Sequence, residues 1–440
     1  MEDENSKNNK LFINGGLKMK IYFIIFGIGS VLSWNAILSD ISFFMNYQGK
    51  YDPSTSFSFC NYALNIAFQL IMIWKKQLLS YRIQLIIGLI ISTASLVILP
   101  LIVINFEKNN LIGFIFTALI ILIEGLANAF CSSGFFGLTS FFPREMIISL
   151  STGQGISGIL MNIISYIVIA SVNTGDKDKD AKLGAIIFFT ISGFILLITL
   201  LILLFAFKTE YFKYYLEKTK DYNIQKIEYE IENQGIIRDS KVNENNQELI
   251  EDKKDLINIK NEEITFFQLF KRLFEIDLLS CYLYVITFSL FPSVAISQRL
   301  FKTGKYRQIT IITINNTFGT LGRYIISCFK FTKNLAYIII CGRSILVITL
   351  ILNFYLDMKL GMNPNLSSIF LILNVVILAT TNGMGTTLCL GLAPTMVPDY
   401  MKGRAGSSVS FFNIFGIFLG TLLAFMTKYI INQIGEYTEE

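Results

Sequence analysis
The sequence predicts an all-α membrane protein of eleven transmembrane helices, split six and five. Three observations predict it. Eleven apolar runs are strung along the chain, each close to the ~20 residues that carry a helix across the hydrocarbon core. Hydrophobic residues make up 53% of the chain and charged residues 16%, with a mean hydropathy of +0.55, whereas soluble domains carry about a quarter charged residues. One polar insert, 207–275, separates the sixth run from the seventh.

Read between charged or turn-rich punctuation, the spans lie near 19–39, 57–74, 83–104, 111–133, 146–171, 184–206, 276–298, 308–329, 336–356, 367–393 and 405–431. This divides the chain into a cytosolic tail (1–18), an N-terminal bundle (19–206), a cytosolic loop (207–275), a C-terminal bundle (276–431) and a short tail (432–440). The first 18 residues lack the cleavage site of a secretory signal, so the run from Met19 is expected to stay as an uncleaved anchor. With the N-terminus in the cytosol, 24 Lys and Arg fall inside and 11 outside, the positive-inside arrangement. Arg299, Lys302, Lys305 and Arg307 then face out, the strongest local argument against it. An odd number of spans puts the acidic C-terminus outside. The insert is rich in Lys, Glu and Asn and poor in large apolar residues, so it reads as a partly disordered linker. Near its end Ile264, Phe267, Phe270 and Phe274 stand at helical spacing. They suggest either a helix lying on the membrane surface or the first turns of the seventh span.

Composition also excludes. The chain has no histidine, which removes the usual general base and zinc ligand. No nucleophile sits beside a base, so an enzyme is not expected. Cys60, Cys131, Cys281, Cys328, Cys341 and Cys389 lie in or at the ends of apolar runs without motif spacing, and no metal or cofactor is implied. The net charge of +5 sits mostly in loops, where it records orientation in the membrane and not a nucleic-acid surface.

Polar residues inside the spans carry the functional signal. Small residues let helices approach closely. In the fifth span Thr152-Gly153-Gln154-Gly155-Ile156-Ser157-Gly158 sets Ser151 against Gly155 and Gly153 against Ser157, and Gly416 and Gly420 repeat the spacing in the last. Packing is their expected role. Charges at the bilayer centre cost about 2.5 to 3.5 kcal/mol on insertion scales, which singles out Glu124 in the fourth span, Arg323 in the eighth and Arg343 in the ninth. Each should face protein or water, although Arg343 could instead snorkel to the cytosolic face. Asn128, Ser132 and Ser133 follow Glu124, and Asn315 and Asn316 precede Arg323. Together they outline a hydrated path. Trp34-Asn35 adds a ring and an amide at membrane depth, a pair suited to a planar polar solute and also to ordinary packing.

Several of these motifs, in order, resemble the equilibrative nucleoside transporter family. Gly29 to Asn35 resembles its first-span motif ending in Trp-Asn, with Ser33 where a Pro is usual, and Thr152 to Gly158 is close to its fifth-span Gly-Gln-Gly motif. Phe291-Pro292, Leu321-Gly322-Arg323, Arg343, Thr381-Asn382-Gly383 and Ala393-Pro394 also look like family positions. The resemblance implies a major-facilitator-type fold, two bundles rocking about a midplane site. It implies that Trp34 borders the cavity, that Asn316 faces the ligand and that Arg323 bonds the ribose or base. Trp34, Asn35, Glu124, Asn128, Ser132, Asn316 and Arg323 are therefore the expected substrate contacts. Gly153, Gln154, Gly155, Gly158, Arg343 and Asn382 are the expected packing and gating set. Two positions depart from the family: Gly319 stands where an acid usually precedes the eighth-span Arg by four residues, and Ser132 where span four usually has Gln. Glu124 is expected to supply the missing counter-charge to Arg323.

The expected function is facilitative transport of nucleosides or nucleobases by alternating access. A neutral ring rich in donors and acceptors can exchange its hydration for aromatic, amide and hydroxyl groups with one Arg. Three alternatives stay open: another small organic solute, proton coupling through Glu124, or a non-transporting receptor signalling through the insert. The expected partners are this solute and the lipid bilayer, and the plasma membrane is favoured over an internal one. Asn365-Leu366-Ser367, a glycosylation sequon on the expected outer side, fits that placement.

Overall fold
Apolar runs in lipid must satisfy their own backbone groups, and here they do so as helices. The computed structural model describes residues 16–74, 79–107, 110–216, 266–291, 295, 298, 300–301 and 307–436. Among the described residues, seven helices precede the insert: α1 Gly16–Ser39, α2 Ile41–Gln48, α3 Pro53–Trp74, α4 Tyr81–Asn105, α5 Asn110–Thr139, α6 Arg144–Ser171 and α7 Lys177–Ala206. Six more are described from the end of the insert onward: α8 Phe266–Leu290, α9 Arg307–Ile325, α10 Lys333–Gly342, α11 Ile345–Lys359, α12 Pro364–Leu392 and α13 Lys402–Glu436. Residues 1–15, most of the insert (217–265), Pro292 and the basic stretch 302–306 lie outside the described residues.

Ten helical segments among the described residues are long and apolar enough to cross a membrane. The expected eighth span is helical as α9 but falls short of that apolarity, because Asn315, Asn316, Thr317, Thr320 and Arg323 interrupt it. It lies against α6 and α12, so its polar groups meet protein. The expected ninth span runs from Lys333 to Asp357 and is broken into α10 and α11 at Arg343 and Ser344. At the break the Ser344 hydroxyl donates to Cys341 O at 2.7 Å, competing with the backbone ladder. Upstream of the seventh span, α8 runs unbroken from Phe266, ten residues before the expected boundary, so Phe267, Phe270 and Phe274 belong to its first turns.

Local chemistry sets the ends. Thr332 caps α10 by accepting from Leu335 N at 3.3 Å, and Asn363 caps α12 by accepting from Asn365 N, with Pro364 at the first helical position. Between α11 and α12 the chain reverses at Gly361, whose φ of +60 is left-handed and free of strain only in glycine.

Helices α1 to α7 form one bundle and α8 to α13 another, meeting through α6 on α9 and through α13 on α3 and α5. Phe23, Phe26, Phe135, Phe142 and Phe212 stack within the first. Large apolar side chains such as Phe194, Leu201, Ile338 and Ile348 stay exposed, as a lipid-facing surface requires. At the end where α1 begins, the bundles press together. Arg144 lies over the Phe331 ring at 4.2 Å, Arg404 Nη2 donates to Ile73 O at 3.3 Å and the Ser407 hydroxyl donates to Ser133 O at 3.1 Å. A Cβ on Gly406 would fall 2.1 Å from Ser140 Oγ and 2.6 Å from Phe136 O, so only glycine permits this approach.

Candidate functional site
Between the bundles lies a cavity of about 590 Å³, a size suited to a small organic solute. Its lining extends to Met45, Ser58, Thr421 and Ala424, toward the end where α1 meets α2, opposite the close contacts just described. The walls are mixed. Trp34, Tyr62, Tyr284 and Phe288 supply rings, and Asn35, Asn61, Asn65, Asn128, Asn316, Asn382 and Asn413 supply amides.

Glycines bring the helices that carry these groups into contact. A Cβ on Gly153 would lie 2.1 Å from Ile24 O, which locks α6 to α1. On the other face of α6, a Cβ on Gly155 would meet Thr320 Oγ1 at 2.3 Å and one on Gly158 would meet Asn316 Nδ2 at 2.5 Å. Thus α6 joins the bundles. On α9 and α12, Gly322 sits against Thr380 O and Gly383 against Gly319 O, at 2.1 and 2.0 Å from a built Cβ. These contacts leave no slack around Arg323.

Arg323 lines the cavity and reaches across to the first bundle. Its Nη1 donates to Ser151 O at 2.5 Å and to Gln154 Oε1 at 3.4 Å. Gln154 in turn donates from Nε2 to Ser30 Oγ at 3.1 Å, so a chain of bonds runs from α9 through α6 to α1. Nearby, Ser151 and Thr387 share a hydroxyl bond at 2.8 Å, and Asn162 donates to Thr313 Oγ1 at 3.3 Å. Asn35 Nδ2 donates to Ser157 Oγ at 3.1 Å, and Ser33 donates to Asn128 Oδ1 at 3.4 Å. Trp34 stands edge-on to Tyr62, ring centroids 5.4 Å apart.

The structure brings most of the expected residues together. Trp34, Asn35, Asn128, Ser132, Gln154, Gly155, Gly158, Asn316, Arg323 and Asn382 all line the cavity. Glu124 does not. It is fully buried behind the wall, accepting from Ser92 Oγ at 2.9 Å, and no ion pair joins it to Arg323 among the described residues. The expected counter-charge is therefore replaced by neutral acceptors, Ser151 O and Gln154 Oε1. Gly153 lies between α6 and α1, away from the cavity. Arg343 neither snorkels nor lines the cavity: 2% exposed, it donates to Leu283 O and Leu378 O at 3.2 Å, to Thr287 Oγ1 at 2.8 Å and to Asn382 Oδ1 at 3.4 Å. It thereby fixes two residues that do line it. The sequence reading missed Asn61 and Asn65. The signal was present, since Asn61, Asn65 and Gln69 recur every four residues along α3, one amide face of a helix, with Gln69 donating to Asn65 Oδ1 at 2.6 Å.

Two helical bundles around a cavity walled by rings and amides, with one end shut, define a membrane transporter. The fold is that of the major facilitator superfamily: a proton:xylose symporter of that superfamily superposes with a TM-score of 0.65 at 14% identity, covering 96% of this chain and 93% of the symporter. The sequence profile of the nucleoside transporter family matches residues 117–429, and the chain belongs to that family. Its relatives include equilibrative nucleotide transporter 4 of Arabidopsis thaliana, 23% identical over 94% of this chain and 95% of the relative, and equilibrative nucleoside transporter 2 of Rattus norvegicus, 22% identical over 93% and 97%. Family and fold are those of transporters, not enzymes.

Proposed function
We propose that this chain moves nucleosides down their gradient by alternating access, binding them in the cavity between its bundles. The observation that carries the reading is Arg323, a guanidinium of one bundle that lines the cavity and bonds Ser151 and Gln154 of the other. A solute bound there touches both halves, so its binding energy can differ between the two rocked states, which any carrier requires. Rings for stacking and amides for hydrogen bonds match a neutral heterocycle and a sugar. Nucleobases, which present the same ring edges, belong to the same reading.

With the N-terminus in the cytosol, as the charge balance favours, the cavity opens outward and the shut end with Arg144, Phe331 and Arg404 is the inner gate. Eleven spans, with α9 as the eighth, then place the C-terminus outside. Placement in the plasma membrane would make the protein an uptake route. The test is uptake of radiolabelled nucleosides by the full chain in proteoliposomes. Saturable uptake that runs equally in either direction, unchanged by a protonophore, is expected; absence of uptake for any nucleoside refutes the reading.

A further inference from the structure
A second cavity, of about 180 Å³, lies at the open end of the first bundle and shares no lining residue with the one between the bundles. Helix α2 is the partition. Its Ile41 and Met45 line the larger cavity, while Ser42, Phe43 and Asn46 line the smaller. Across from α2, Ser165 and Val168 come from α6, and Asp180, Gly184 and Phe188 from the start of α7.

Asp40, half-buried where α1 passes into α2, lines this second cavity and serves nothing else in the fold. It stands at the N-cap of α2, where an aspartate ordinarily accepts from the backbone of the first turn, yet its side chain makes no cap bond. Among the described residues no donor or cation meets its carboxyl, and burial alone acts on it, pushing its pKa up to about 7. Asp180, the other acid on the wall, is engaged by Thr174, whose N and Oγ1 each donate to it at 2.6 Å. No Lys or Arg lines the cavity. The nearest lysines of α7 are drawn elsewhere, Lys182 to Glu107 and Asp178 at 2.7 and 2.6 Å and Lys179 to Asp176 at 3.8 Å. A carboxyl withdrawn from water without a counter-charge favours a cation beside it.

The rest of the wall selects the kind of cation. Phe43, Val168 and Phe188 offer apolar and aromatic surface, which a metal ion seeking oxygen ligands cannot use and an organic ammonium can. Asn46 and Ser165 add side-chain oxygens to accept the remaining ammonium protons. An apolar cavity of about 150 Å³ takes up benzene, so this one has room for a ring with an ammonium arm. We propose that the second cavity is a binding site for small primary ammonium compounds, with the ammonium on Asp40 and the apolar body against Phe43, Val168 and Phe188. The site is separate from nucleoside transport and stands whether or not that reading does. Ile169, 59% exposed on the lipid-facing side, also lines the cavity, so the ammonium can arrive from solution or on an ethanolamine lipid head group.

The probe is benzylammonium, titrated calorimetrically against the full chain in phosphatidylcholine nanodiscs. Saturable binding is expected, at least tenfold weaker for benzyl alcohol, its neutral counterpart, and for Asp40→Asn, which keeps size and removes charge. The cation binds the ionised carboxyl, so affinity is held above the pKa and lost as pH falls through about 7, making binding about tenfold weaker at pH 6 than at pH 8. Gly184 supplies a second variant should Asp40→Asn fail to fold. A Cβ there would meet only Val168 Cγ1 at 3.6 Å, so Gly184→Leu extends into the cavity and should abolish binding. Saturating inosine should leave the titration unchanged. Loss of binding in phosphatidylethanolamine nanodiscs assigns the site to the head group and retention assigns it to a soluble amine, and both uphold the proposal. No binding in phosphatidylcholine, equal binding of benzyl alcohol, binding untouched by the folded variants, or displacement by inosine overturns it.

Discussion

Replacing Gly383 by alanine adds one carbon where two helix backbones touch, and its effect on transport can be worked from the contact. The new Cβ would lie 2.0 Å from Gly319 O and 2.9 Å from Arg323 N, both backbone atoms of α9 that no rotamer change can move. Non-bonded carbon contacts settle near 3.5 Å, so α9 must retreat from α12 by more than about 1 Å. That retreat carries Arg323 and Asn316 with it, disturbing the 2.5 Å bond to Ser151 O and the close fit of Asn316 on Gly158. Overpacking of this kind costs about 1 to 3 kcal/mol, and a 1 Å error in a positioned group weakens its action steeply. The expected result is a lower thermal midpoint in detergent and a nucleoside KM raised about tenfold. Gly184→Ala is the control, since its Cβ would meet only Val168 Cγ1 at 3.6 Å, and both readouts should stay at the wild-type level. Wild-type KM and thermal midpoint in Gly383→Ala would refute the claim that the α9–α12 contact positions the site.

Two more outcomes follow from the buried charges. Arg343→Met strips donors from Thr287 and Asn382, both on the cavity wall, and should cost about 2 to 4 kcal/mol by the usual penalty for orphaned buried groups; thermal unfolding in detergent measures it, and an unchanged midpoint contradicts the assignment. Glu124→Gln keeps size and can keep the Ser92 bond, and Glu124 touches no cavity cation, so uptake should change by less than about threefold and stay insensitive to a protonophore; abolished uptake, or a lost proton dependence, would restore Glu124 to the transport cycle.

Much of this arrangement was legible in the sequence because lipid leaves little choice. Apolar length fixed the helices, and the cost of a charge at membrane depth pointed to Arg323 as facing protein or water, where it now bridges two bundles. The fifth-span glycines were readable as contact points, and the structure divides them by face: Gly153 toward α1, Gly155 and Gly158 toward α9. What failed was pairing. Opposite signs on two spans suggested that Glu124 answers Arg323, yet a carbonyl and an amide answer the arginine, while Glu124 is buried apart from it against Ser92. Arg343 illustrates the same limit, since its four acceptors come from two helices distant in sequence, α8 and α12, and two are backbone carbonyls that no motif displays. The amide stripe Asn61, Asn65, Gln69 carries no charge to set it apart from ordinary polar residues, although its four-residue period alone marks a polar helix face.

The most direct measurement asks whether the space beside Arg323 is wet and holds the solute. In a chain whose six cysteines are replaced and Asn316 is made cysteine, a small water-soluble thiosulfonate applied from the cavity's open side should modify the new thiol, and added nucleoside should slow the reaction severalfold. A thiol that stays unmodified, or one modified at a rate no nucleoside changes, contradicts the account.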